Sequence, residues 1–136
     1  QVTVDWLMGK EEDGDLSEQI AVYPTGGGSS WVVSEDAQPY HVRIPKGMRG
    51  FEVHGDSMEP VARHGQLVLA MPGVQPKDED LAVVEYEKDG VRVHAFKRVY
   101  YQDHTVTLMS VNQAYRPETI KRTTVKTAMK VWGVKF

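Results

Sequence analysis

The sequence predicts a mainly β domain, an open sheet or partly closed barrel with one short helix. Three observations point there. From residue 48 onward, short β-rich runs recur with turn signals between them: GFEVHG, QLVLAM, DLAVVEYE, VRVHAFKRVYY, TVTLMS and MKVWGVKF. Asp89-Gly90 separates two of these runs, and glycine accepts the positive φ that a tight hairpin demands. Only residues 57 to 64 (SMEPVARH) have the pattern of a short helix.

The elements follow in chain order. Residues 1 to 8 (QVTVDWLM) are mostly apolar but too short to fold alone, so Trp6 and Leu7 read as the end of something larger. The start at Gln1 rather than Met points the same way. Residues 9 to 18 (GKEEDGDLSE) are acidic, lack apolar periodicity and read as a solvated linker. Residues 20 to 33 place a triple glycine and two serines between apolar patches, which reads as extended backbone or a loop between edge strands. Pro72-Gly73 and Pro76 punctuate the loop before the hairpin.

Composition narrows the function. The chain has 136 residues, of which 40% are hydrophobic and 26% charged, enough for a folded core in one domain. Its net charge of -3 excludes a generic basic nucleic-acid binder. No apolar run approaches the roughly 20 residues that span a bilayer. Cysteine is absent, which removes disulfides and thiolate metal sites and suits a reducing, cytoplasmic setting.

Three groups of residues bear on chemistry. His41, His54, His64, His94 and His104 show no metal-ligand spacing, so no metal is implied. The glycine run lacks a following GK[ST] and is not a phosphate loop, and no cofactor is implied. The third group centres on Lys97. Strand alternation puts it on one face with Val91, Val93, Ala95 and Val99, while Arg92, His94, Phe96 and Arg98 take the other, with Arg98 on the wet side. A lysine in an apolar register has two readings. Either its stem lies along the sheet and its amine escapes to solvent, or desolvation lowers its pKa by several units and makes it a general base.

A hydroxyl in a suitable setting lies 40 positions upstream. In His54-Gly55-Asp56-Ser57-Met58-Glu59-Pro60 a strand runs into a glycine and then a serine at the start of a turn. That arrangement exposes the hydroxyl and gathers backbone N–H groups, as an oxyanion hole requires. A simple helix N-cap is the other reading of Ser57.

These residues carry a resemblance. His-Gly-Asp-Ser57-Met58-Glu-Pro followed by Arg63-His64-Gly65-Gln66-Leu67-Val68 resembles the nucleophile segment of the LexA-like family. That family includes phage CI-type repressors, UmuD and, more distantly, signal peptidases. Phe96-Lys97-Arg98-Val99 resembles its lysine-bearing strand, and Leu108-Met109-Ser110-Val111-Asn112-Gln113-Ala114-Tyr115 its Leu-x-Ser-x-Asn-x-x-Tyr segment. Val131-Trp132-Gly133-Val134 resembles its terminal strand. The pieces cover residues 44 to 136 in the family's order.

The resemblance implies strongly bent sheets with one short helix after the serine. It implies Ser57 as nucleophile and Lys97 as general base, with Gly55, Asp56 and Met58 around the nucleophile and its oxyanion donors. Val2-Thr3-Val4-Asp5-Trp6-Leu7-Met8-Gly9 resembles the end of a CI/Cro-type helix-turn-helix domain. The organisation expected is therefore a DNA-binding remnant (1–9), a linker (10–20), a cleavage-site-like segment (21–43) and a LexA-like dimerisation and peptidase domain (44–136). Family members cut themselves at a small residue followed by glycine, usually Ala-Gly, which this sequence lacks. Ala21-Val22 has the family's spacing but puts a β-branched residue after the cut. Thr25, Gly26, Gly27 and Gly28 are the favoured alternatives.

The function implied is the C-terminal dimerisation and regulatory domain of a bacterial or phage repressor with a latent self-cleaving Ser-Lys dyad. Expected partners are a second copy, through Val131, Trp132, Val134 and Phe136, and operator DNA through a domain missing from this chain. A RecA-filament-type inducer or an antirepressor would relieve repression, and no membrane is involved. A non-cleaving, antirepressor-controlled domain and a peptidase acting in trans are the competing readings.

Overall fold

The two-residue turn at Asp89-Gly90 sets the centre of the molecule. In the computed structural model, which describes residues 47–135 and the backbone of residues 16–25, 31–32 and 38–45, both turn residues have positive φ, 53° and 77°. That is the backbone a two-residue hairpin needs. Lys88 pairs with Val91 across it.

Ten strands are described: β1 (Leu16–Thr25), β2 (Trp31–Val32), β3 (Gln38–Pro45), β4 (Arg49–Val53), β5 (Leu67–Met71), β6 (Leu81–Lys88), β7 (Val91–Tyr101), β8 (Thr105–Met109), β9 (Glu118–Lys121) and β10 (Val125–Lys135). They form one sheet in the order β3-β1-β4-β5-β10-β6-β7-β8-β9, with β2 paired to β7. The seven strands from β4 to β9 along this path pair antiparallel, and β1 joins β4 in parallel. Its two ends, β3 and β9, do not pair, so the sheet is bent rather than closed into a barrel.

β10 provides the bend. Its first half pairs with β6 and its second with β5, and its register slips between Val125 and Thr127 and between Val131 and Gly133. An extra residue in one strand of a pair kinks that strand and increases its twist.

Bending produces two apolar clusters. One joins Phe51, Val53, Met58, Val68, Ala70, Val83, Phe96 and Met129 with Val131 and Val134. The other joins Ala82, Val84, Tyr86, Val93, Ala95, Val99, Val106 and Leu108. Adjacent residues such as Val83 and Val84, or Ala95 and Phe96, therefore point into different clusters. Strands covered on both faces read as unbroken apolar runs, as LAVV in β6 does. Each large side chain fully buried in this way contributes about 1.5–3 kcal/mol.

Three expectations change. The stretch after Ser57 is a run of turns, not a helix. One i→i+4 bond forms, from Ala62 N–H to Met58 O at 3.0 Å, and Glu59 N–H reaches Asp56 O at 3.2 Å. Pro60 has no N–H to donate and disfavours helical backbone at Glu59. Gly65 then reverses the chain at φ 88° and donates its N–H to Val53 O. Second, the even face of β7 is wet only at Arg92: His94 and Phe96 are buried, and Phe51 meets His94 edge-on at 5.1 Å. Arg98 is half-buried and donates to Glu79 O. Val91, expected with the apolar set, is exposed beside the hairpin turn. Third, regular strands extend beyond the runs expected from residue 48 and the edge strands expected around residues 20 to 33. β1 starts at Leu16, inside the stretch read as linker, and β3 crosses the expected boundary between 43 and 44. Residues 1–15, including the helix-turn-helix-like Asp5-Trp6-Leu7 segment, lie outside the described residues.

Candidate active site

The site begins where β4 ends. Val53 is held in the core, and Gly55 takes φ 87°, a left-handed backbone that suits glycine. The chain turns there and delivers Ser57 inward, 1% exposed. Met58 follows into the first apolar cluster and anchors the turn from below. No helix starts at Ser57 for its hydroxyl to cap.

Lys97 arrives from β7. It is 6% exposed, and its Nζ donates to Ser57 Oγ at 3.0 Å and to Ser110 Oγ at 2.8 Å. Its amine therefore ends on two hydroxyls rather than in solvent. Burial lowers its pKa from 10.5 to about 8, against the Glu118 carboxylate, which favours the charged form. The lysine is then available as a neutral base near physiological pH.

Register explains the third member. β7 pairs with β8 through Arg98↔Met109 and Val99↔Leu108, and one further step along the ladder sets Lys97 opposite Ser110. β8 pairing ends at Arg98, and β2 pairs with β7 at His94 and Val93. The turn that carries Ser57 meets β7 at Lys97, between these two stretches of pairing.

The loop after Ser110 ties the turn in place. Asn112 N–H donates to Ser57 O at 2.9 Å, and Asn112 Nδ2 donates to Asp56 O at 3.1 Å. The Tyr115 hydroxyl donates to Asp56 Oδ1, and the Tyr115 ring lies 6.0 Å from Lys97 Nζ. The bond to Asp56 pushes the Tyr115 pKa up from its ordinary value of 10.0, with burial adding to it.

Backbone donors are sorted by what already uses them. Gly55 N–H donates to His64 Nδ1 at 2.9 Å. Among the described residues, no acceptor takes the N–H of Asp56, Ser57 or Met58. Those three amides, and not that of Gly55, are available to an oxyanion.

The model of the family described as Peptidase S24-like matches residues 20–135. The chain belongs to this family. Comparison with the curated proteins found no match. The S24-like match identifies the LexA/CI-type C-terminal domain, and begins well before the residue 44 expected from the motifs alone.

The other residues singled out in the sequence lie as follows. Ala21 and Val22 sit within β1, Ala21 opposite Pro39 and Val22 opposite both Gln38 and Gly50. Thr25 ends β1 opposite Val53, four residues before Ser57. Gly26, Gly27, Gly28 and Phe136 lie outside the described residues. Val131 and Val134 are core, 6% and 5% exposed, and Trp132 is half-buried. Of the four residues expected at a dimer surface, those two valines are occupied within the chain itself.

Sequence reasoning assigned no role to Ser110, Asn112, Tyr115, Glu118 or His64. Ser110 shares its strand face with Val106 and Leu108, a usable signal once the β7–β8 register is known. Asn112, Tyr115 and His64 sit in turns and loops, and Glu118 opens β9 opposite Leu108.

Proposed function

We propose that this chain is the C-terminal dimerisation and regulatory domain of a CI/LexA-like transcriptional repressor, and that it cuts itself through Ser57 and Lys97. The observation that carries the reading is the 3.0 Å contact between Lys97 Nζ and Ser57 Oγ, with the lysine pKa lowered to about 8.

The chemistry follows from the geometry. Neutral Lys97 takes the Ser57 hydroxyl proton as Oγ attacks the carbonyl carbon of the scissile peptide. The N–H groups of Ser57 and its neighbours Asp56 and Met58 receive the negative charge that develops on the carbonyl oxygen. The lysine ammonium then passes the proton to the departing amine as the C–N bond breaks. Water hydrolyses the serine ester and restores the hydroxyl.

The favoured scissile region is Thr25 to Gly28. Thr25 is in register with Val53, next to the nucleophile turn, whereas Ala21 lies four residues back along β1, about 13 Å at strand rise. Val22 is also paired on both sides, which leaves its backbone little freedom to bend into a site.

In the repressor, each DNA-binding domain would grip one half-site weakly, and dimerisation through this domain would raise the effective concentration of the second. Cutting between the domains, in the cytoplasm where the operator lies, discards that gain.

The test is incubation of the chain between about pH 7 and pH 10, followed by mass spectrometry of the fragments. Two fragments divided between Thr25 and Gly28, absent from Ser57→Ala and Lys97→Ala, support the reading. An uncut chain across that range overturns self-cleavage and leaves control by an antirepressor. Turnover of an added peptide with the chain itself intact would instead make it a peptidase acting in trans.

A further inference from the structure

One loop reaches both halves of the dyad. Within residues 110–115, Ser110 accepts from Lys97, Asn112 bonds the carbonyls of Ser57 and Asp56, and Tyr115 bonds the Asp56 carboxylate while its ring faces Lys97. Two internal bonds shape the loop for this. Ala114 N–H donates to Asn112 Oδ1 at 2.9 Å, which aims the other end of that amide at Asp56, and Tyr115 N–H donates to Asn112 O at 3.2 Å. Asp56 is exposed, so core packing does not hold its side chain. Its bond to Tyr115 is what joins the outer side of the nucleophile turn to the loop.

We propose that the Asp56–Tyr115 bond is a latch that positions Ser57 against Lys97. Asp56 and Tyr115 are positioning residues: they act through the turn and the loop, not on the scissile peptide. Two free hinges would otherwise meet at the dyad. The turn pivots at Gly55, where the backbone is left-handed, and the loop follows the last paired residue of β8. Asn112 alone would leave the turn tied at its backbone while its outer corner swung. The latch also holds under the conditions that activate the lysine. Because Asp56 pushes the Tyr115 ionisation upward, the phenol keeps its proton at pH values where Lys97 has lost its own.

This inference rests on the self-cleaving reading for its rate effect, so the experiment has two arms. The variants are Tyr115→Phe, which keeps the ring and removes the hydroxyl, Asp56→Ala, Asp56→Asn, which keeps a neutral acceptor, and the Asp56→Ala/Tyr115→Phe pair. The first arm is the cleavage rate of the chain from about pH 7 to pH 10. Tyr115→Phe and Asp56→Ala each lower the plateau about tenfold, the scale of one charge-assisted hydrogen bond, without moving the midpoint upward. The double variant is no slower than either single one, and Asp56→Asn recovers most of the rate. The second arm is hydrogen exchange of the Asn112 amide, which donates to Ser57 O and needs no catalysis to be read. Exchange speeds up in Tyr115→Phe and Asp56→Ala and returns toward wild type in Asp56→Asn.

Unchanged Asn112 exchange in Tyr115→Phe overturns the latch, whatever the cleavage rate. So does Asp56→Asn behaving like Asp56→Ala, since the carboxylate charge would then matter rather than the bond. Multiplying effects in the double variant have the same consequence. A wild-type chain that never cleaves overturns the self-cleaving reading, and the exchange arm still decides the latch.

Discussion

Lys97 and Ser110 stand opposite each other one step beyond the last paired residues of β7 and β8, Arg98 and Met109, with Nζ 2.8 Å from Oγ. Lys97 is thus held from the strand beside it, while Ser57 reaches it from the turn after β4 at 3.0 Å. Each contact has its own consequence.

The pH profile of self-cleavage should follow Lys97. With a pKa of about 8, the neutral fraction rises about tenfold between pH 7 and pH 9 and is nearly complete above that. Cleavage measured by gel densitometry should rise accordingly and level off. A profile still climbing steeply at pH 10 would mean an unshifted lysine.

Ser110→Ala should lower the plateau rate by about tenfold, because the amine loses one of the two groups that aim it. The midpoint should not move upward. Removing an acceptor of the ammonium's protons disfavours the charged form, so any shift runs toward lower pH.

Glu118→Gln should move the midpoint to lower pH and leave the plateau unchanged. The Glu118 carboxylate favours protonated Lys97, and the amide keeps an oxygen for the Tyr86 hydroxyl that now donates to Glu118 Oε1 at 3.1 Å. The readout is a rate at pH 7 above that of wild type. A midpoint that stays put or rises would show that Glu118 does not set the lysine's charge.

Stability should carry the opposite mark of the same burial. The folded chain holds Lys97 at a pKa of about 8 against 10.5 when unfolded, so between those values the unfolded chain binds more protons. Stability relative to Lys97→Met should therefore rise with pH across that window and be flat below it. The full difference is roughly 3 kcal/mol, to be read by urea unfolding at pH 7 and above pH 10.

Met58→Ala should cost about 2–5 kcal/mol, since Met58 is 1% exposed inside the first apolar cluster. Cleavage should slow as well, because the neighbouring serine loses its anchor. Unchanged cleavage in a destabilised protein would show that the turn is held from the loop side alone.

Most of the sheet was legible in the residues themselves. The runs that became β4 to β8 and the later part of β10 are apolar, β-branched or aromatic, and Asp89-Gly90 marks its own turn chemistry. β9 was not legible: Glu118–Lys121 is polar and is a strand because β8 offers it an edge. β1 was legible only in part, as extended backbone or an edge strand from residue 20, and β3 was missed, since both depend on pairing with strands elsewhere in the chain. The helix expected after Ser57 yielded to Pro60 and Gly65.

By itself, then, the sequence determined a mainly β chain, a serine after a turn glycine and a lysine in register with apolar neighbours. Those are local properties of alternation and turn chemistry. Only the tertiary structure decided that Lys97 ends on Ser57 and Ser110, that Gly55 spends its N–H on His64, and that Val131 and Val134 are core. Each depends on which strands become neighbours and where β10 bends. Burial on both faces of β7 is what lowers the pKa of an otherwise ordinary lysine.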